Sequence, residues 1–174
     1  IFYSPPFLTW TTSKMDHYLA LAYFTAVLSV VVGAAVLFKD WRSLHNRVFA
    51  VCMLVLGLEA VVIGASLTPR MEAFLFWTAA DQVLKSLLYG SWLLFSVIFA
   101  RSNYSELLSR WKWIIVVSIA GPLLLTLGFR DGFFAGQLIA VKLGYVIPLG
   151  WSGYLWHVCA VLLSIMIIMN LERT

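Results

Sequence analysis

Charge is what this sequence has least of. Only 11% of its 174 residues are Asp, Glu, Lys or Arg, while 62% are hydrophobic. Soluble globular domains carry about a quarter charged residues, so that class is excluded and an integral membrane protein is expected. Polar sequence is short as well. No stretch between the apolar runs is long enough for a catalytic domain, and no HExxH, GxSxG, Walker A or glycine-rich dinucleotide turn occurs. No catalytic residue is therefore expected.

Cysteine is scarce too. Cys52 and Cys159 both fall inside apolar runs, where a thiol behaves as a small hydrophobe, and no Cys/His spacing resembles a metal site. Of three histidines, His17 precedes the first run, His45 lies in a polar loop and His157 stands alone inside a run. Bis-histidine haem ligation needs two at one depth, so neither metal nor cofactor is expected. Internal repeats and low-complexity tracts are absent, and no inverted transporter repeat is visible. The net charge of +4 comes from basic residues scattered between the apolar runs, which excludes a nucleic-acid face.

What is present is apolar length. A helix needs about 20 mostly apolar residues to cross a bilayer, because every backbone polar group must be bonded within the segment. Five spans meet that test: 18–38, 48–67, 74–99, 111–129 and 149–171. The first two, joined by KDWRSLHNR, should form a hairpin. TPRMEA is short enough to make spans two and three neighbours as well. RSNYSELLSRWK reads as an amphipathic connector, and Gly121-Pro122 should kink span four, since proline removes a helix hydrogen bond. Between spans four and five, the glycine-punctuated segment 130–150 reads as a hairpin or interfacial loop.

Lys and Arg set the orientation. Lys39, Arg42, Arg47, Arg101, Arg110, Lys112 and Arg173 fall on one side, against Lys14, Arg70, Arg130 and Lys142 on the other. The fold expected is thus an all-α polytopic bundle of five spans. Its N-terminal segment 1–17 lies outside, the bundle occupies 18–171, and 172–174 begin a cytoplasmic continuation. Trp41, Trp77, Trp111, Trp113, Trp151 and Trp156 fall near span ends, where amphipathic rings favour headgroups. The expected surroundings are a lipid bilayer and other membrane helices, in a homodimer or a larger complex.

Three ionisable residues sit deep in the spans: Glu59, Asp81 and Lys85. Insertion of Asp or Lys at a helix centre costs about 2.5 to 3.5 kcal/mol, so each needs a reason. Asp81 and Lys85 stand at i and i+4, acid first, the orientation that favours an ion pair. Glu59 and Lys85 each lie about 17 Å into their spans at 1.5 Å per residue, near the middle of a core about 30 Å thick. A Glu59 to Lys85 pair across the hairpin is therefore an alternative. His157 shares the depth of Asp81 and would pair with it if spans three and five touch. This polar set either glues a bundle together or serves sensing, ion binding or proton-linked transport.

HNRVFAVCMLVLGLEAVVIGAS, FLFWTAADQVLKSLLYGSWLLFSVIFA and LGWSGYLWHVCAVLLSIMIIMNLERT together resemble the multi-span N-terminal sensor region of bacterial membrane histidine kinases, in the branch associated with exosortase (PEP-CTERM) systems. The resemblance covers Asp16 to Thr174 and rests on the order of spans and on short motifs. It implies a signal-sensing module in the bacterial inner membrane, with a kinase core beyond Thr174, and it transfers no catalytic residue. The outer loop then becomes the candidate input surface, with Arg130, Asp131, Lys142, Tyr145 and Trp151 as its polar and aromatic residues. The alternative is an accessory or scaffold subunit of a larger membrane complex, packing against partner helices, lipids or pigments. Gly33, Ala34, Ala35, Gly57, Gly64 and Ala65 permit the close helix approach such packing needs.

Overall fold

Apolar length sets the elements, and short polar turns set their order. The computed structural model describes residues 6–67, 71–99, 104–134, 139–141, 144–146 and 148–172. The long elements are helices: α1 (Pro6–Lys39), α2 (Leu44–Ser66), α3 (Met71–Phe99), α4 (Tyr104–Gly128) and α6 (Trp151–Glu172). Between α4 and α6 come the single turn α5 (Arg130–Phe133) and the strands β1 (Ile139–Val141) and β2 (Gly144–Val146). Among the described residues, five helices are long and apolar enough to cross a membrane, as expected of a multi-pass membrane protein.

The connector expected before span four is largely helix. α4 opens at Tyr104 and absorbs most of it, because Glu106 and Arg110 pair at 3.4 Å on one helical face. α4 also runs through Pro122. Thr126 Oγ1 donates to the Pro122 carbonyl at 2.9 Å, and Ser118 Oγ to that of Ile114 at 2.6 Å. Such bonds inside a helix satisfy hydroxyls that would otherwise meet lipid.

Helix order follows the chain. α1 packs on α2, α2 on α3, α3 on α4, and α6 closes against both α3 and α4. Among the described residues α1 touches no other helix, whereas α3 has three neighbours. On α2, Ala50, Met53, Gly57 and Gly64 recur at helical spacing and face α1. A Cβ on Gly57 would stand 3.3 Å from the Ala26 carbonyl oxygen, and one on Gly64 3.6 Å from Ala22 Cβ. Without hydrophobic drive between helices in lipid, this close backbone contact is what holds the pair.

The second seam, α2 to α3, is aromatic at the end nearest Leu44. Phe49 lies against Phe95 with centroids 5.4 Å apart, and Phe95 stacks on Phe99 at 5.2 Å. His45 Nε2 meets the Ile98 carbonyl at 3.0 Å. At the other end, Phe133, Trp156 and Ala160 form a buried cluster joined by Tyr89, Leu125 and Leu149.

Candidate functional site

α3 carries the polar seam, because it is the helix enclosed on the most sides. Asp81 and Lys85 lie one turn apart on it, and Lys85 Nζ donates to Asp81 Oδ2 at 2.6 Å. The Asp81 side chain is 11% exposed and that of Lys85 30%, so the acid is fixed inside while the ammonium reaches the edge of the bundle. A short charge-assisted bond of this kind is among the stronger ones, and here it neutralises both charges at membrane depth.

Glu59 completes the charged set from α2. It is 8% exposed and feels the charges of both Lys85 and Asp81 across the α2 and α3 seam, yet closes no ion pair among the described residues. The cross-hairpin pair with Lys85 is thus not formed. The pair within α3 takes the ammonium because i,i+4 spacing brings the groups together without help from another helix. Asp81 Oδ1 and Gln82 Oε1, both buried, find no hydrogen-bond partner among the described residues.

The expected pair of Asp81 with His157 does not form either. His157 lies on the exposed face of α6, and its Nδ1 contacts the Gly153 carbonyl of its own helix at 2.8 Å. Rotation rules the pair out: one residue turns a helix by about 100°, and Trp156 is the side chain turned toward α3, where it meets Ser86. Trp156 is 2% exposed and donates from Nε1 to Ser86 Oγ at 2.9 Å. That places it in the core, away from the headgroup belt expected for it. Trp41, Trp113 and Trp151 are exposed.

Sequence reasoning missed the rungs between α3 and α6. The first is Trp156 to Ser86, and the second runs from Asn170 Nδ2 to Ser96 Oγ at 3.5 Å. Both numbers rise together along the two helices, so α3 and α6 run parallel. Asn170 was legible as an amide near the end of an apolar run. Ser86 and Ser96 carried no signal, since serines in such helices usually bond their own carbonyls, as these also do to Gln82 and Leu93.

The described loop residues fall on separate elements. Arg130 opens α5, and Asp131 is exposed on the same turn. Tyr145 pairs with Ala140 in the β1 and β2 hairpin, and Lys142 lies outside the described residues. Trp151 opens α6 and meets Phe129 edge-on at 5.3 Å. The base of the loop is closed by backbone: Phe134 bridges Leu149, Gly150 N donates to the Phe133 carbonyl at 2.8 Å, and Ser152 Oγ donates to that of Phe129 at 3.2 Å. Gly153 is required here, because a Cβ would stand 2.7 Å from the Phe133 carbonyl oxygen.

Among the described residues, no group of three His, Cys, Asp or Glu is placed to hold a metal ion. No protein-family model, curated protein or solved structure matches the chain.

Proposed function

We propose that this chain is the transmembrane signal-sensing module of a bacterial histidine kinase-like protein of the inner membrane, with the N-terminus outside and the kinase core outside these residues. The observation that carries the reading is the under-satisfied seam on α3. Asp81 Oδ1 and Gln82 Oε1 find no partner among the described residues, beside an ammonium that pairs with Asp81 Oδ2. Each unmade bond costs about 1 to 3 kcal/mol, a penalty on this arrangement that a shifted one satisfying both oxygens would relieve. A helix that has two arrangements of similar energy can be biased from outside.

The input and output elements meet on α6. The closed base of the 130–150 loop bears on its first turn through Gly153 and Ser152, while at its far end Asn170 reaches Ser96 of α3 across a long 3.5 Å rung. A displacement of the loop would pass into α6, slide it along α3 and leave the bundle beyond Asn170. To test this, residues 1–174 are fused in helical phase to a reporter kinase core in cells. Lys85→Met and Trp156→Ala should shift basal phosphorylation severalfold, and His157→Ala should not. Equal output from all three, at equal membrane levels, would remove the sensory reading.

A second reading, an accessory or scaffold subunit, is favoured by α1. Phe24, Val27 and Val31 are exposed on a helix that has a single neighbour among the described residues. It predicts a stoichiometric partner retained through purification in mild detergent.

A further inference from the structure

The outward side of the α1 and α2 seam is concave. Gly33 lets the backbones close up, with Met53 Cβ 3.1 Å from where its own Cβ would be, and leaves a trough of about 430 Å³ lined by Ala34, Leu37, Val51 and Leu54. Val30 and Leu54 carry it into a second hollow of about 340 Å³ that reaches Val61. From Arg47 to Val61 the helix rises roughly 21 Å, more than one leaflet of a core about 30 Å thick. The trough can therefore seat a whole acyl chain lying along it.

Its polar end is cationic. Trp41 and Arg47 line the trough where the two helices meet their loop, and Lys39 and Arg42 are exposed beside them. The one acid of this loop, Asp40, receives the Arg42 backbone N–H on Oδ1 at 3.0 Å, and Asn46 Nδ2 donates to its carbonyl at 3.1 Å. These bonds fix the loop without using its cations. Lys39, Arg42 and Arg47 make no ion pair among the described residues.

We propose that this trough is a binding site for an anionic glycerophospholipid. One acyl chain lies in the seam over Gly33 and Ala34, Trp41 packs at the level of the glycerol esters, and the Arg47 guanidinium holds the phosphate. Charge complementarity selects the occupant. A neutral helix of a second copy would fill the apolar part and leave three cations facing nothing, whereas a phosphate meets them at headgroup depth. The site is independent of the sensory reading and needs neither the α3 seam nor the outer loop.

The test uses the full chain in nanodiscs of mixed phosphatidylglycerol and phosphatidylcholine, moved into detergent and weighed by native mass spectrometry. The wild type should retain phosphatidylglycerol preferentially. Arg47→Gln should cut that preference about fivefold, the contribution typical of one cation near a membrane surface, and Arg47→Lys should keep most of it. Ala34→Phe, which fills the trough and leaves every charge in place, should lose both lipids. Equal retention of the two lipids by the wild type would overturn the proposal. So would an unchanged preference in Arg47→Gln, or a purified dimer with cross-links between the α1 and α2 seams of two copies.

Discussion

Removing the Lys85 ammonium would leave both carboxylate oxygens of the buried Asp81 without a partner among the described residues. Breaking a buried pair in this way costs on the order of 3 kcal/mol, while replacing both members by neutral groups is far cheaper. Lys85→Met alone should thus destabilise the bundle by about that much, and Asp81→Asn with Lys85→Met by clearly less than the two single variants summed. Unfolding by steric trapping in bicelles measures all four corners of the cycle. Strict additivity would mean that the 2.6 Å contact contributes nothing. The pair itself was readable from i,i+4 spacing. That Asp81 rather than Glu59 holds the ammonium was not, because spacing gives depth and says nothing about how α2 is turned toward α3.

At the scale of elements, α3 and α4 depend on one glycine. A Cβ on Gly90 would overlap Ile119 Cγ1, so the helices approach there more closely than any side chain allows. Gly90→Ala should weaken the bundle by about 1 to 3 kcal/mol, as overpacking does, and Ile119→Ala introduced with it should restore most of the loss. If the double variant is as weak as the single, the two helices are held elsewhere. The existence of the long apolar helices was plain from hydropathy, and the α1 and α2 hairpin from its short loop, but α1 opens at Pro6, ahead of the apolar run that marked it. The azimuth of α6 was not plain, for an apolar helix in lipid has no polar face to mark its outside. The inward place on α6 belongs to Trp156, and His157 faces outward. The Tyr104–Gly128 helix likewise hid its first turns, since a polar amphipathic stretch reads the same whether it lies on the membrane or continues a span.

For the whole molecule, one helix organises the rest. α3 carries the charged pair, the close contact with α4 and both rungs to α6, while among the described residues α1 leans on α2 alone. Span-by-span hydropathy cannot show such a hierarchy, because a central and a peripheral membrane helix are equally apolar. Loss of α1 should accordingly leave the contacts among α3, α4 and α6 in place. Expressing residues 44–174 in membranes and measuring disulfide cross-linking between Ser86→Cys and Trp156→Cys checks this. The wild-type cross-linking pattern is expected, and its disappearance would give α1 a structural share that the contacts do not assign to it.

The bridge between Phe134 and Leu149 closes the outer loop at its root, two extended residues about 5 Å apart in Cα position. The β1 and β2 pairing lies beyond that root, so the loop is a natural port for foreign sequence. An epitope or a small protein with neighbouring termini, spliced between β1 and β2, should leave the bundle folded and display the insert on the side of the membrane where the loop emerges. Antibody labelling of intact cells, against permeabilised ones, then reads the orientation of the whole chain from that single tag. Labelling without permeabilisation is the outcome the basic-residue count requires.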